Sequence, residues 1–148
     1  MASPLVRFED WEIRLDKYLS DVRFKPFQYG VFDCATFTCG AVEAITGENL
    51  MGALPSYRSY KQGRLLMAKL SGGNNMQQFA DYAFSGLMPV AKGFQQRGDI
   101  VLLSRKAKDK WDASFALGII ALDGKPKSVD VCGYQMVPPE RIVKGWRV

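Results

Sequence analysis

The sequence predicts an α+β fold, with helices first and a meander of antiparallel strands second. Three observations predict it. Apolar residues recur at helical spacing through the first half of the 148-residue chain. After Gly93 that spacing gives way to short continuous apolar runs. Between two of these runs lies Asp123-Gly124, a hairpin signal. At 47% hydrophobic and 24% charged, the chain fits one domain, residues 1–148, with no internal repeat and no low-complexity linker.

The elements follow in order. Phe8, Trp11, Leu15 and Tyr18 share a helical face, with Glu9, Asp10 and Glu12 in the first turn, where the helix dipole favours acids. A loop through Lys25-Pro26 follows. Asp33 is a good N-cap, so Cys34 to Ile45 reads as an apolar helix closed by Gly47. Residues 57–70 read as a third helix despite Gly63. Gly72-Gly73-Asn74-Asn75 is a loop that lacks the Lys-Ser/Thr of a phosphate-binding loop. Asn74 or Asn75 then caps a fourth helix, with Met76, Phe79, Ala80 and Ala83 on one face and Gly86 at its end. Strands are expected over Ile100 to Leu103, Phe115 to Leu122, Ser128 to Cys132 and Val143 to Val148, with a turn at Pro138-Pro139.

Composition excludes several chemistries. The chain has no histidine, which removes Ser-His-Asp and Cys-His mechanisms as usually built, His-ligated metals and histidine pH switches. Its three cysteines, Cys34, Cys39 and Cys132, form no Cys-x-x-Cys pair, and on a helix Cys34 and Cys39 point about 140° apart. No metal and no cofactor is expected. The net charge of +5 lies in the C-terminal part, densest at Arg105, Lys106, Lys108 and Lys110. A solvated loop or a surface facing an acidic partner explains that stretch better than nucleic acid, whose recognition motifs are absent. No window reaches transmembrane length, and the N-terminus has no apolar signal core.

Cys34 at the first turn of a buried helix has two readings. The free N–H groups and positive end of a helix favour a thiolate, the form that acts as nucleophile. A small buried hydrophobe is the blander reading, and position alone favours it.

The residues around Cys34 carry a resemblance. Phe27-Gln28-Tyr29-Gly30 followed by Asp33-Cys34 resembles the nucleophile motif of NlpC-type cysteine peptidases, papain-like enzymes that cut peptidoglycan stem peptides. That motif reads roughly Tyr-x-Trp-Gly, a short spacer, then Asp-Cys-Ser-Gly. Arg97-Gly98-Asp99-Ile100-Val101 resembles the family's Pro-Gly-Asp-Leu-Val, and Ala116-Leu117-Gly118-Ile119 resembles its His-Val-Gly-Ile. The resemblance implies a papain-like, NlpC-like fold with N-terminal helices packed on a C-terminal antiparallel sheet.

A closer resemblance covers nearly the whole chain. Small phage-encoded NlpC-like proteins share the aromatic-Gly-x-x-Asp-Cys motif, a Thr-Gly at the helix end (Thr46-Gly47), and a C-terminal Trp-Arg-Val (Trp146-Arg147-Val148). That resemblance implies a structural component of a phage tail tip or baseplate, assembled in the host cytoplasm. Its partners would be other tail-tip proteins, a hub or baseplate protein among them, and peptidoglycan if activity were kept.

The departures from the peptidase pattern bear on mechanism. The resemblance places the general base at Ala116, which cannot accept a proton, and the orienting tyrosine at Phe27, which has no hydroxyl. Losing the base of a catalytic triad costs on the order of 10⁶ in rate in the subtilisin precedent. Asp112, Asp130, Lys110 and Tyr134 are the candidate substitutes near the expected strand ends. Asp33 serves as N-cap, and Asp99 fixes the turn into its strand. The expectation is an inactive relative that keeps Cys34. The alternative is an active tail-tip hydrolase that opens the cell wall.

Overall fold

The computed structural model describes residues 5–52, 55–73, 75–104 and 115–148. The architecture is α+β. Four helices come first: α1 (Trp11–Val22), α2 (Cys34–Thr46), α3 (Tyr60–Ser71) and α4 (Met76–Ala83). Six strands complete it: β1 (Met88–Ala91), β2 (Ile100–Ser104), β3 (Phe115–Ile120), β4 (Pro126–Asp130), β5 (Gly133–Met136) and β6 (Ile142–Arg147). They form one sheet in the order β1-β6-β2-β3-β4-β5, with every neighbouring pair antiparallel.

Helix α2 is the centre of the core. Phe37, Ala41, Val42 and Ile45 are fully buried, and the helix lies against β3 and β4. An apolar sequence on nearly every side suits a helix enclosed by other elements. Helix α1 is fixed to it by Tyr18, whose hydroxyl donates to the Phe37 carbonyl at 2.8 Å. Gly40 makes room for that phenol, since a Cβ there would collide with it.

The pleat divides the sheet residues between two faces. Ile100, Leu102, Leu117, Ile119, Val129 and Trp146 join the helices in the main cluster. Val101, Leu103, Ile120 and Ile142 form a smaller cluster with Val137 and no helical residue. The helices therefore cover one face of the sheet.

Several boundaries differ from the sequence expectation. Phe8 precedes α1, and its N–H donates to the Ile45 carbonyl at 2.8 Å. Helix α3 begins at Tyr60, not residue 57, because Ser59 is extended and accepts from the Gln62 N–H. Asn75 caps α4, which ends at Ala83 with Phe84 as its cap. The third expected strand, Ser128 to Cys132, is shifted to Pro126–Asp130, because Asp130 accepts the Cys132 N–H at 2.7 Å and turns the chain into β5. Strand β1 stands before Gly93, where no strand is expected from sequence. It contains Pro89, which an edge strand tolerates, and its partner is the chain's last strand.

Among the described residues no helix is long and apolar enough to cross a membrane.

Candidate functional site

The site is built where the turn after α1 meets the start of α2. Gln28 and Phe32 pair across a tight loop, their N–H groups donating to each other's carbonyls at 3.0 and 2.8 Å. The loop turns at Gly30, whose φ of +76° lies in the left-handed region. A Cβ at Gly30 would also run into the Tyr57 carbonyl oxygen.

Asp33 is the hub of this region and is buried. One carboxylate oxygen accepts the Thr36 N–H at 2.9 Å, and the other accepts the Gly30 N–H at 2.9 Å. The Asp33 N–H donates to Thr36 Oγ1 at 2.8 Å, completing a reciprocal capping box. A further donor is the hydroxyl of Tyr57. With these partners the carboxylate is committed to holding the turn, the helix and the next segment together, as its N-cap position predicts.

Cys34 is the first residue of α2, buried at the capped, positive end of the helix dipole. Cys39, one turn and a half further, is also buried, and its thiol is pushed up to about 12 by burial first, then by the charges of Asp33 and Cys34. Cys39 lines a small apolar cavity with Ala35, Met51, Phe79 and Leu117, and Cys34 is not part of that lining.

Ala116 lies on β3 opposite Leu103, is 7% exposed, and belongs to the same buried cluster as Cys34. The next residue, Leu117, lines the cavity on the α2 side. Gly118 faces Leu103 and the Lys127 carbonyl, where a Cβ would clash. No side chain at 116 to 119 can exchange a proton.

The substitute groups separate. Lys110 and Asp112 lie outside the described residues, as does the basic stretch from Arg105. Asp130 spends its carboxylate on the Cys132 N–H. Tyr134 packs edge-on to Phe37 with ring centroids 5.9 Å apart, and burial raises its phenol above the ordinary tyrosine value. Asp99 is fully buried and accepts the Gln96 N–H at 2.8 Å, which fixes the turn into β2. It is also bound by Arg147, whose Nε stands 3.0 and 3.1 Å from its two oxygens, with Arg7 at 3.7 Å.

Sequence reading missed Tyr57. Placing it inside a helix hid it; as the residue two before the Ser59 cap it is free to reach Asp33. Burial raises its phenol first, followed by the Asp33 charge and the hydrogen bond to Asp33. The hydroxyl is therefore held protonated and serves as a donor, never as a base. Phe27, which has no hydroxyl, packs edge-on to Tyr29 with ring centroids 4.7 Å apart, and Tyr29 lies 6.1 Å from Tyr60. Gly63, the one buried residue of α3, is explained by the same contact: a Cβ there would come within 3.0 Å of the Tyr57 ring.

Among the described residues no three Cys, Asp or Glu side chains gather as a metal cage. The arrangement supplies a capped helix with a cysteine at its tip, a carboxylate tied up in structure and a protonated phenol, but no proton acceptor on β3. No curated protein matches the chain. The family match runs over residues 6–148, from the approach to α1 to the end of β6, so the chain belongs to the family described as a domain of unknown function, DUF6950.

Proposed function

We propose that this chain is a structural component of the tail tip or baseplate of a bacteriophage or phage-like particle. In this reading it uses an NlpC-like, papain-like scaffold whose peptidase machinery is incomplete. The observation that carries the reading is the pairing of Cys34 at the capped start of α2 with Ala116 on β3, in a chain without histidine. A cysteine peptidase needs a base to take the thiol proton and an acid to protonate the leaving amine. Ala116 does neither.

Other features support the reading. The Asp33-Cys34, Gly98-Asp99 and Ala116 to Ile119 blocks stand at a helix start, a strand start and a neighbouring strand, the places the resemblance assigns them. Large apolar side chains are left in solvent, among them Phe24 at 89% and Phe94 at 72% exposure, which suits a subunit that packs against neighbours such as a hub protein. The three cysteines are unbridged, which suits assembly in a reducing cytoplasm.

The competing reading is an active hydrolase that opens the cell wall. Tyr57 is the ionisable group the fold adds beside Asp33, and it is held protonated. The deciding experiment is muropeptide release from purified sacculi, comparing particles carrying the natural chain with particles carrying Cys34→Ala. Equal and negligible release from both is the expected result. Release that disappears with Cys34→Ala would overturn the structural reading.

A further inference from the structure

Between Glu48 and Asp81 the chain has no acidic residue, yet it carries Arg58, Lys61, Arg64 and Lys69. All four are exposed on or just before α3. Among the described residues none of them has an ion pair. On α1, Asp21 pairs with Lys17 and Glu12 with Arg97, and the N-cap Asp10 pairs with Arg14, while Asp16 has no ion pair among the described residues. Four of the five charged residues of α1 are thus paired, whereas none of the three on α3 is among the described residues.

The placement is unfavourable for the isolated protein. Arg58 and Lys61 stand at the N-terminal end of α3, where the helix dipole disfavours positive charge, and Lys61 and Arg64 are like-charged neighbours three residues apart. Gly63 is the only residue of the helix that is buried, so α3 gives the core little in return. Local rules broken without compensation inside the fold point to compensation from outside it.

The spacing indicates what kind of partner. Lys61, Leu65 and Lys69 recur every four residues and make one stripe, basic-apolar-basic, along the helix. Leu65 is 61% exposed in the middle of it. A phosphate backbone is recognised by charge and has no use for an aliphatic side chain at the centre of the patch. An amphipathic protein segment with acids flanking an apolar residue matches the stripe in both respects.

We infer that the outer face of α3 is a docking surface for an acidic amphipathic segment of a protein partner, with Arg58, Lys61, Arg64 and Lys69 meeting its acids and Leu65 its apolar side chain. This stands on charge, exposure and spacing, and does not depend on the chemistry at Cys34 or on assembly into a particle.

The test is fluorescence anisotropy of the full chain with a labelled helical peptide that repeats Glu, Leu, Glu at four-residue spacing. Saturable binding that weakens with added salt is expected. Lys61→Glu with Arg64→Glu should reduce affinity about tenfold or more. The neutral pair Lys61→Gln with Arg64→Gln should give a smaller loss, and Leu65→Ser a salt-independent one. Lys125→Glu, in the turn between β3 and β4, should leave binding unchanged. Circular dichroism confirms that each variant is folded. Three results would each overturn the inference: equal binding of a scrambled peptide of the same composition, unchanged binding by the charge-reversed variant, or tighter binding of a thymidine oligonucleotide through the same four residues.

Discussion

The Tyr57 hydroxyl donates to the carboxylate of Asp33, 24 residues earlier in the chain and next to Cys34. One hydrogen bond thus ties the segment leading into α3 to the cap of α2. It places a phenol on the carboxylate that caps the helix begun by Cys34. Because the phenol is held protonated, the contact stabilises the carboxylate and adds no proton acceptor to the site.

Tyr57→Phe keeps the ring and removes this donor from a buried carboxylate. The expected loss of stability is about 1.5–3 kcal/mol, the range for a hydrogen bond to a charged group. Urea denaturation of the variant against the natural chain checks it. A loss within experimental error would mean that water replaces the hydroxyl.

Gly30→Ala should be worse. The new Cβ meets the Tyr57 carbonyl, and the residue must hold a φ of +76°. A side chain in that conformation costs about 1–3 kcal/mol before the clash is counted. The combined effect should lower the thermal midpoint more than Tyr57→Phe does, read by circular dichroism on both variants.

Arg147→Ala removes the closer of the two guanidinium partners of Asp99, whose side chain is wholly buried. Breaking a buried pair by removing one partner costs about 3–5 kcal/mol. Arg7 remains at 3.7 Å and Arg147 is itself partly exposed, so the expected loss is at the lower end or below, about 2–3 kcal/mol. Arg147→Lys should restore only part of it, since a lysine cannot reproduce the Nε contact to both oxygens. Denaturant midpoints of the two variants make the comparison.

Cys39 gives a pH dependence with a definite sign. Its folded thiol is raised to about 12 from an ordinary value of 9.0, mainly by burial. The folded state therefore keeps the proton that the unfolded chain releases. The contribution is fully present below pH 9 and is lost as pH rises from about 9 toward 12. Denaturation at pH 7.5 and 10 should show the natural chain losing more stability than Cys39→Ala over that interval. In the native state an alkylating reagent should modify the exposed Cys132 while Cys39 reacts only after unfolding, as mass spectrometry of digested protein will report.

Much of the local structure was legible in the sequence because local chemistry sets it. Asp33 before an apolar run specifies the start of α2, and Gly47, with its φ of +81°, specifies the end. Asp123-Gly124 specifies the turn between β3 and β4. Strand β1 was not legible, because four residues containing Pro89 form a strand only when β6, from the far end of the chain, supplies the partner. The start of α3 was misplaced because Tyr57 fits a helical pattern as well as Tyr60 does, and the Ser59 cap decides between them.

The sequence by itself determined the order of helices and strands, the cysteine at a helix start and the absence of histidine. These are properties of residue type and short-range spacing. Only the tertiary structure decided what surrounds that cysteine: Tyr57 on Asp33, Gly30 against the Tyr57 carbonyl, and Arg7 and Arg147 converging on Asp99. It also left four basic side chains of the α3 region in solvent without ion pairs among the described residues. Such contacts join residues far apart in the chain. They form because burial removes water as the competing partner and makes each remaining donor and charge seek one inside the fold.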